Sequence, residues 1–238
     1  MKALRCSIII PAYNEGSNII SVLQRINESV KLAYECIVVV DSKTDPTIPH
    51  ILKFSKSNSQ FRYIINTNTQ GPANAIKFGI SQAKAPAIVI TMADGSDDPK
   101  NIDELVLLVE RGVAIAAASR YMPGGQQIGA PYLKGLLSKL AGRSLYQLRH
   151  VGTRDSTNSF KAYSRNFLES ILVESSDGFE IALELVAKAK RKRLPVAEIP
   201  TIWLERSYGT SNFQLWRWIP RYLRWYIFAF YPRKKKYD

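Results

Sequence analysis

Short apolar runs alternate with segments of helical period along the first half of this 238-residue chain, and nothing else in the sequence constrains its fold as strongly. Residues 6–10 read as a strand, 17–32 as a helix capped by Ser17, and 35–40 as a second strand ending at Asp41. Strands follow at 61–65, 87–91 and 113–118, with helices over 72–83 and 100–110. Such alternation implies an α/β fold, a mostly parallel sheet with helices on both faces. Past residue 120 the pattern loosens into a loop at Pro123, a basic helix over 132–148, a helix over 179–190 and a last strand over 196–204.

A hydrophobic content of 46% lets a chain of this length bury one sizeable core. One domain over residues 1–212 is expected, with a C-terminal appendage over 213–238 where Trp, Tyr, Phe and Arg accumulate. Cys6 and Cys36 fall inside strands without zinc-ligand spacing and read as buried thiols, which suits a reducing cytoplasm. A strand that starts so close to Met1 leaves no room for a signal peptide. The net charge of +13 asks for an anionic partner, nucleic acid or an anionic membrane surface. With no zinc-finger spacing, RNP-like strand or helix-turn-helix, nucleic acid is set aside. The cationic run over 188–193 reads as the solvated end of a helix.

Chemistry concentrates at strand ends. The strand at 87–91 runs into Asp94, Ser96, Asp97 and Asp98. Carboxylates there lie at the crevice where open α/β sheets bind ligands, and they suit a hard cation such as Mg²⁺ or Mn²⁺ bridging to a diphosphate. Taken alone, the same residues also read as an Asp-Gly turn and a helix cap. The first strand leads into Pro11-Ala12-Tyr13-Asn14-Glu15 instead of a glycine-rich loop, and no P-loop pattern occurs anywhere. Dinucleotide and P-loop NTPase readings lose their support.

These residues resemble the family 2 glycosyltransferases of the GT-A fold, whose first strand ends in P-x-Y-N-E and whose second ends in an aspartate. The resemblance implies that Pro11, Tyr13, Asn14, Glu15 and Asp41 hold the base and ribose of a GDP- or UDP-linked sugar, with Asp45 in the loop after strand two. It implies that the Asp94 segment is the family's D-x-D motif, with Met92 replacing the first acid, Asp94 as principal metal ligand, and Ser96, Asp97 or Asp98 assisting. Ser119-Arg120-Tyr-Met-Pro-Gly-Gly resembles a motif of dolichol-phosphate mannose synthases and related polyprenyl-phosphate glycosyltransferases. By that resemblance Arg120, Lys134 and Ser138 bind an acceptor phosphate, with Lys139 nearby.

Three later matches extend the likeness. Asp155-Ser-Thr-Asn-Ser-Phe-Lys161 carries Ser159 where the family has glycine. Gly178-Phe179 with Glu184 matches the helix that follows, although Glu184 also reads as an ordinary surface acid. Arg206-Ser-Tyr-Gly209-Thr-Ser211 matches R-x-x-G-x-S, implying that Arg206 closes over the diphosphate. Asp94, Arg120 and Arg206 are thus the expected catalytic groups. The only two histidines, His50 and His150, lie outside every motif and read as loop or surface residues. In residues 216–231, Arg217, Arg221 and Arg224 form one helical stripe among aromatics, kinked or restarted at Pro220. The uncharged run is far short of the ~20 residues a bilayer span requires. An interfacial helix followed by basic residues 233–236 is expected on the cytoplasmic membrane face; packing on the core or in a homo-oligomer interface is the alternative.

Overall fold

The computed structural model describes residues 3–129, 132–176, 178–205 and 215–231. In chain order the elements are β1 (Cys6–Ala12), α1 (Ile19–Ser29), β2 (Tyr34–Val40), α2 (Ile48–Ser55), β3 (Phe61–Ile65), α3 (Pro72–Gln82), β4 (Ala87–Ile90) and α4 (Ile102–Glu110). There follow β5 (Ile115–Ser119), β6 (Gln126–Ile128), α5 (Tyr132–Arg149), β7 (Lys161–Ser164), α6 (Arg165–Glu169), α7 (Ile181–Arg191), β8 (Val196–Pro200), β9 (Ile202–Leu204) and α8 (Leu215–Phe230).

Seven strands form one sheet in the order β3-β2-β1-β4-β7-β5-β8, parallel except for β7, which runs antiparallel to both neighbours. The expected mostly parallel α/β sheet is therefore observed. Side chains alternate across it: Ile8, Ile10, Val38 and Val89 pack under α1, α2 and α4, whereas Ile9, Val39 and Ile88 pack under α3, α7 and α8. Apolar residues on both strand faces explain why these runs are continuous and not alternating with polar ones. Helix α3 approaches closely enough that a Cβ at Gly79 would lie 2.6 Å from Ile9 Cγ2. Cys6 and Cys36 are buried free thiols, as expected.

Several boundaries differ from the sequence reading. Ser17 does not cap α1; it sits in a 3-10 turn, and the amides of Glu15 and Gly16 instead donate to Thr47 Oγ1 at 3.0 and 3.3 Å. Helix α2 had no counterpart in that reading, and it places His50 on a helix, half-buried. The single strand expected over 196–204 is two: Pro200 lacks an N–H to donate, and Thr201 donates back to Ser119 O, after which β9 leaves the main sheet to pair with β6. Glu184 is no surface acid, since it is fully buried and accepts the Glu174 and Ser175 amides at 2.7 and 2.8 Å. Its ion pair with Lys188 at 2.6 Å draws the start of the cationic run out of solvent.

Helix α8 packs one side against α5 and α7. Trp225 and Ala229 are buried in the second core, and Ser144 Oγ meets Tyr226 Oη at 2.9 Å. Its other side exposes Leu223, Arg224, Ile227 and, just past the helix, Tyr231. The boundary expected at 212/213 and basic residues 233–236 lie outside the described residues. Among the described residues no helix is long and apolar enough to cross a membrane.

Candidate active site

The carboxyl ends of β1, β2, β4 and β5 converge, and three clusters meet there. The first is the turn after β1. Pro11 is buried at the strand end, Tyr13 is 63% exposed, and Asn14 takes a left-handed conformation at φ 55°. Buried Asp45 holds this turn by accepting from the Asn14 amide at 3.0 Å and from the Thr47 amide at 2.8 Å. Asp45 and Thr47 are thus the support that keeps the ring of Tyr13 and the half-buried Glu15 at the sheet edge. Asp41 accepts from Asn66 Nδ2 at 2.7 Å and from the Gly71 amide at 2.9 Å, using one acceptor position on each oxygen. A second lone pair on each remains for a ligand donor.

The second cluster is the loop after β4. Asp94 Oδ1 accepts the Ser96 amide at 3.1 Å, folding the loop back on itself. Asp97 is buried and accepts from Thr91 Oγ1 at 2.9 Å and the Met92 amide at 3.0 Å through one oxygen. Burial, then the charge of Asp94, pushes the Asp97 carboxyl up to about 7. Asp97 Oδ1 and Ser96 Oγ are buried without hydrogen-bond partners. Two orphaned oxygens and a carboxylate disfavoured in its ionised form are what a divalent cation would satisfy, so these residues fit the metal expected here. Among the described residues no group of three or more His, Cys, Asp or Glu forms a metal cage, so diphosphate oxygens would complete the coordination. Asp98 accepts the Lys100 amide at 3.2 Å through Oδ1 and so caps the next turn. Arg25 of α1 clamps the loop from behind, donating to Gly95 O at 2.7 Å and Asp97 O at 3.1 Å.

The third cluster surrounds Arg120 at the end of β5. Its guanidinium binds Asp155 through Nε at 2.7 Å and Nη2 at 2.8 Å, a two-point contact between groups both nearly out of water. Burial opposes the charge of Asp155, but Arg120's charge and hydrogen bonds hold that carboxyl below its usual range. Nη2 also reaches Ser138 Oγ at 3.3 Å, and Ser138 and Thr157 hydroxyls lie 2.6 Å apart. Tyr121 Oη donates to Gln127 Oε1 at 2.9 Å and lies 3.0 Å from Ser138 Oγ, whose hydroxyl can donate to it. Asp155 neutralises the charge of Arg120, so what this cluster offers a phosphate is the guanidinium's remaining N–H groups and three hydroxyls. Gly125 allows this packing: a Cβ there would come 2.3 Å from Ser119 O.

Strand β9 ties the second and third clusters together. Leu204 donates to Ser96 O at 3.1 Å, while the half-buried ring of Trp203 lies 6.0 Å from the Arg120 guanidinium. Charge also couples them, since Arg120 favours ionised Asp97 and Asp97 favours charged Lys161. The structure thus brings Pro11, Tyr13, Asn14, Glu15, Asp41, Asp94, Ser96, Asp97, Arg120 and Ser138 to one sheet edge. Arg206 and the side chain of Lys134 lie outside the described residues. Thr157, Tyr121, Gln127, Trp203, Arg25 and Thr47 were missed as site residues. Thr157 and Tyr121 carried a signal, each lying inside a motif already noted, two places after Asp155 and one after Arg120.

Residues 7–172 match the family described as Glycosyl transferase family 2. The chain belongs to that family. Among family 2 proteins it is 30% identical to the dolichol-phosphate mannosyltransferase of Pyrococcus furiosus over 233 residues, 93% of this chain and 64% of that one. It is 28% identical to the polyprenol monophosphomannose synthase of Mycolicibacterium smegmatis over 214 residues, 87% of this chain and 80% of that one. In fold it is similar to glucosyl-3-phosphoglycerate synthase from Mycobacterium tuberculosis, solved with Mn²⁺, UDP and glucosyl-3-phosphoglycerate. That match has TM-score 0.71 at 19% identity and covers 98% of this chain and 82% of the other. A mannosyltransferase from Pyrobaculum calidifontis, solved with GDP-Man and Mn²⁺, matches with TM-score 0.63 at 17% identity over 94% of this chain and 64% of that one.

Proposed function

We propose that this chain transfers a hexose from a nucleotide diphosphate sugar to a polyprenyl phosphate at the cytoplasmic face of a membrane. The observation that carries this reading is the cluster of Arg120, Ser138 and Thr157, a built anion site beside the carboxylate loop. The names of the Pyrococcus and Mycolicibacterium relatives favour mannose as the hexose and a lipid phosphate as the acceptor. Either a GDP- or a UDP-linked donor suits the turn at Tyr13 and Glu15 and the carboxylate of Asp41.

An acceptor phosphate is already ionised at neutral pH. Attack on the anomeric carbon then requires orientation and charge stabilisation more than a proton acceptor. Arg120 fixes the phosphate's direction, and the hydroxyls of Ser138 and Thr157 donate to its oxygens. In-line displacement inverts the anomeric centre. Asp94, Ser96 and Asp97 would hold Mg²⁺ or Mn²⁺, which when bound neutralises charge on the departing nucleoside diphosphate. Arg206 is assigned to the same diphosphate from its motif.

Exposed Leu133, Leu136, Leu137 and Leu140 form one stripe along α5, on a different face from Ser138, and Leu223, Ile227 and Tyr231 stand on or beside α8. This apolar wall favours a lipid-tailed acceptor over a soluble one and a helix pair lying in the membrane interface. Basic residues 233–236 would add about 1 kcal/mol each near an anionic surface.

Ser138→Ala tests the acceptor site without breaking the buried ion pair. Losing one such hydrogen bond, worth about 1 kcal/mol, should raise the acceptor KM roughly fivefold and leave donor affinity unchanged. Equal loss of nucleotide binding would place Ser138 on the donor side instead.

A further inference from the structure

A cavity of about 290 Å³ at the opposite edge of the sheet belongs to none of these clusters. Val196 lines it at the start of β8, whereas Pro200 at the far end of that strand pairs with Ser119 beside Arg120. Four strand steps, about 13 Å, separate the two ends. The cavity forms where α5 ends and α7 turns into β8, and His150, Lys190 and Arg193 bring three nitrogen-bearing side chains to its walls without any carboxylate in the lining.

The backbone adds a second, independent observation. Among the described non-glycine residues, positive φ occurs at Asn14, His150 and Arg193. Asn14 belongs to the turn assigned to the donor; the other two line this one cavity. Each follows the end of a helix: His150 donates to Tyr146 O at 3.0 Å, and Arg193 and Leu194 donate to Lys190 O and Ala189 O, both at 3.0 Å. Glycine is the usual occupant of such a position. A left-handed conformation disfavours other residues roughly tenfold, but asparagine, aspartate and histidine occur there several-fold more often than the rest, so the penalty falls mainly on Arg193. Favouring the helix dipole returns a few-fold at most. Lys188, Lys190 and Arg191 already stand in the last turn of α7, so the dipole does not require Arg193. Two caps therefore bring a protonatable and a basic residue to the cavity that Lys190 also lines, the arginine against its backbone preference.

We propose that this cavity is a phosphate-binding site, with His150, Lys190 and Arg193 contacting the phosphate group of a small ester or of a lipid headgroup. Arg149 Nε donates to Ala229 O at 2.9 Å, which sets the end of α8 beside the end of α5 and hence beside the cavity. The assignment is independent of the transfer reaction.

The chain has two histidines, so its imidazole Hε1 proton spectrum holds two signals, and His150→Gln assigns them. Inorganic phosphate, titrated against chloride at fixed pH and ionic strength, should shift the His150 signal saturably and leave His50 in place. Arg193→Gly supplies the residue that the backbone prefers, so it should keep or raise Tm while weakening phosphate binding at least tenfold. Flotation with phosphatidic acid vesicles separates the sources. Free phosphate that lowers wild-type vesicle binding to the level of Arg193→Gly identifies a headgroup; wild-type vesicle binding that free phosphate leaves unchanged, beside a saturable phosphate shift, identifies a free ester. A His150 signal that does not saturate, or that responds equally in Arg193→Gly, overturns the proposal.

Discussion

Lys161 is fully buried in the middle of the sheet, where its Nζ donates to Asn158 O and, at 3.4 Å, to Ser156 O. Burial lowers its pKa to about 7, against the pull of Asp155. An unfolded lysine keeps its proton to about pH 10.4. Between those values the unfolded chain binds more protons than the folded one, so this residue makes stability rise with pH, by at most ~1.4 kcal/mol per unit. Urea titrations at pH 7.5 and 9 should show that rise in the wild type and a flatter dependence in Lys161→Met; equal slopes would place the ammonium in contact with water. Asp45, Asp94 and Arg120 were legible in the sequence because short ordered motifs flag them. Lys161 closed such a motif, yet nothing in spacing distinguishes a buried lysine from a solvated one. Trp203 and Gln127 were not legible because they meet the Arg120 cluster only through the pairing of β6 with β9, two strands of three residues each.

At the scale of elements, α8 shows how a composition signal can point to a helix without saying which face it buries. The aromatic and basic residues indicated an amphipathic helix, and the structure divides it into a packed side at Trp225 and Ala229 and an exposed side at Leu223 and Ile227. Trp225→Ala should cost about 3–5 kcal/mol in chemical denaturation, the range for emptying a large core site. Leu223→Ser with Ile227→Ser should change stability by well under that and still reduce flotation with anionic liposomes. Reduced flotation only when Trp225 is replaced would mean that the exposed side does not meet lipid. Strands β1, β2 and β4 were readable because buried runs of Ile and Val announce themselves. Strand β7 was not, since Lys161, Tyr163 and Ser164 break the apolar pattern and its place between β4 and β5 is fixed by tertiary pairing.

Over the whole molecule, the strand carboxyl ends gather an acidic loop and a buried arginine at one edge, and α5, which brings Ser138 to the arginine, exposes leucines on another face. The net charge of +13 would draw the molecule to an anionic bilayer in the proposed arrangement. The central claim is that these parts act together on a nucleotide sugar and a lipid phosphate. Its most direct test is transfer of radiolabelled hexose from GDP- and UDP-linked donors by the purified chain, with and without polyprenyl phosphate. Labelled lipid should form only with the lipid present and Mg²⁺ or Mn²⁺ supplied, and should fall by at least a hundredfold in Asp94→Asn while the variant keeps the wild-type Tm. Transfer to a soluble acceptor but never to lipid, or undiminished transfer by Asp94→Asn, would contradict the account.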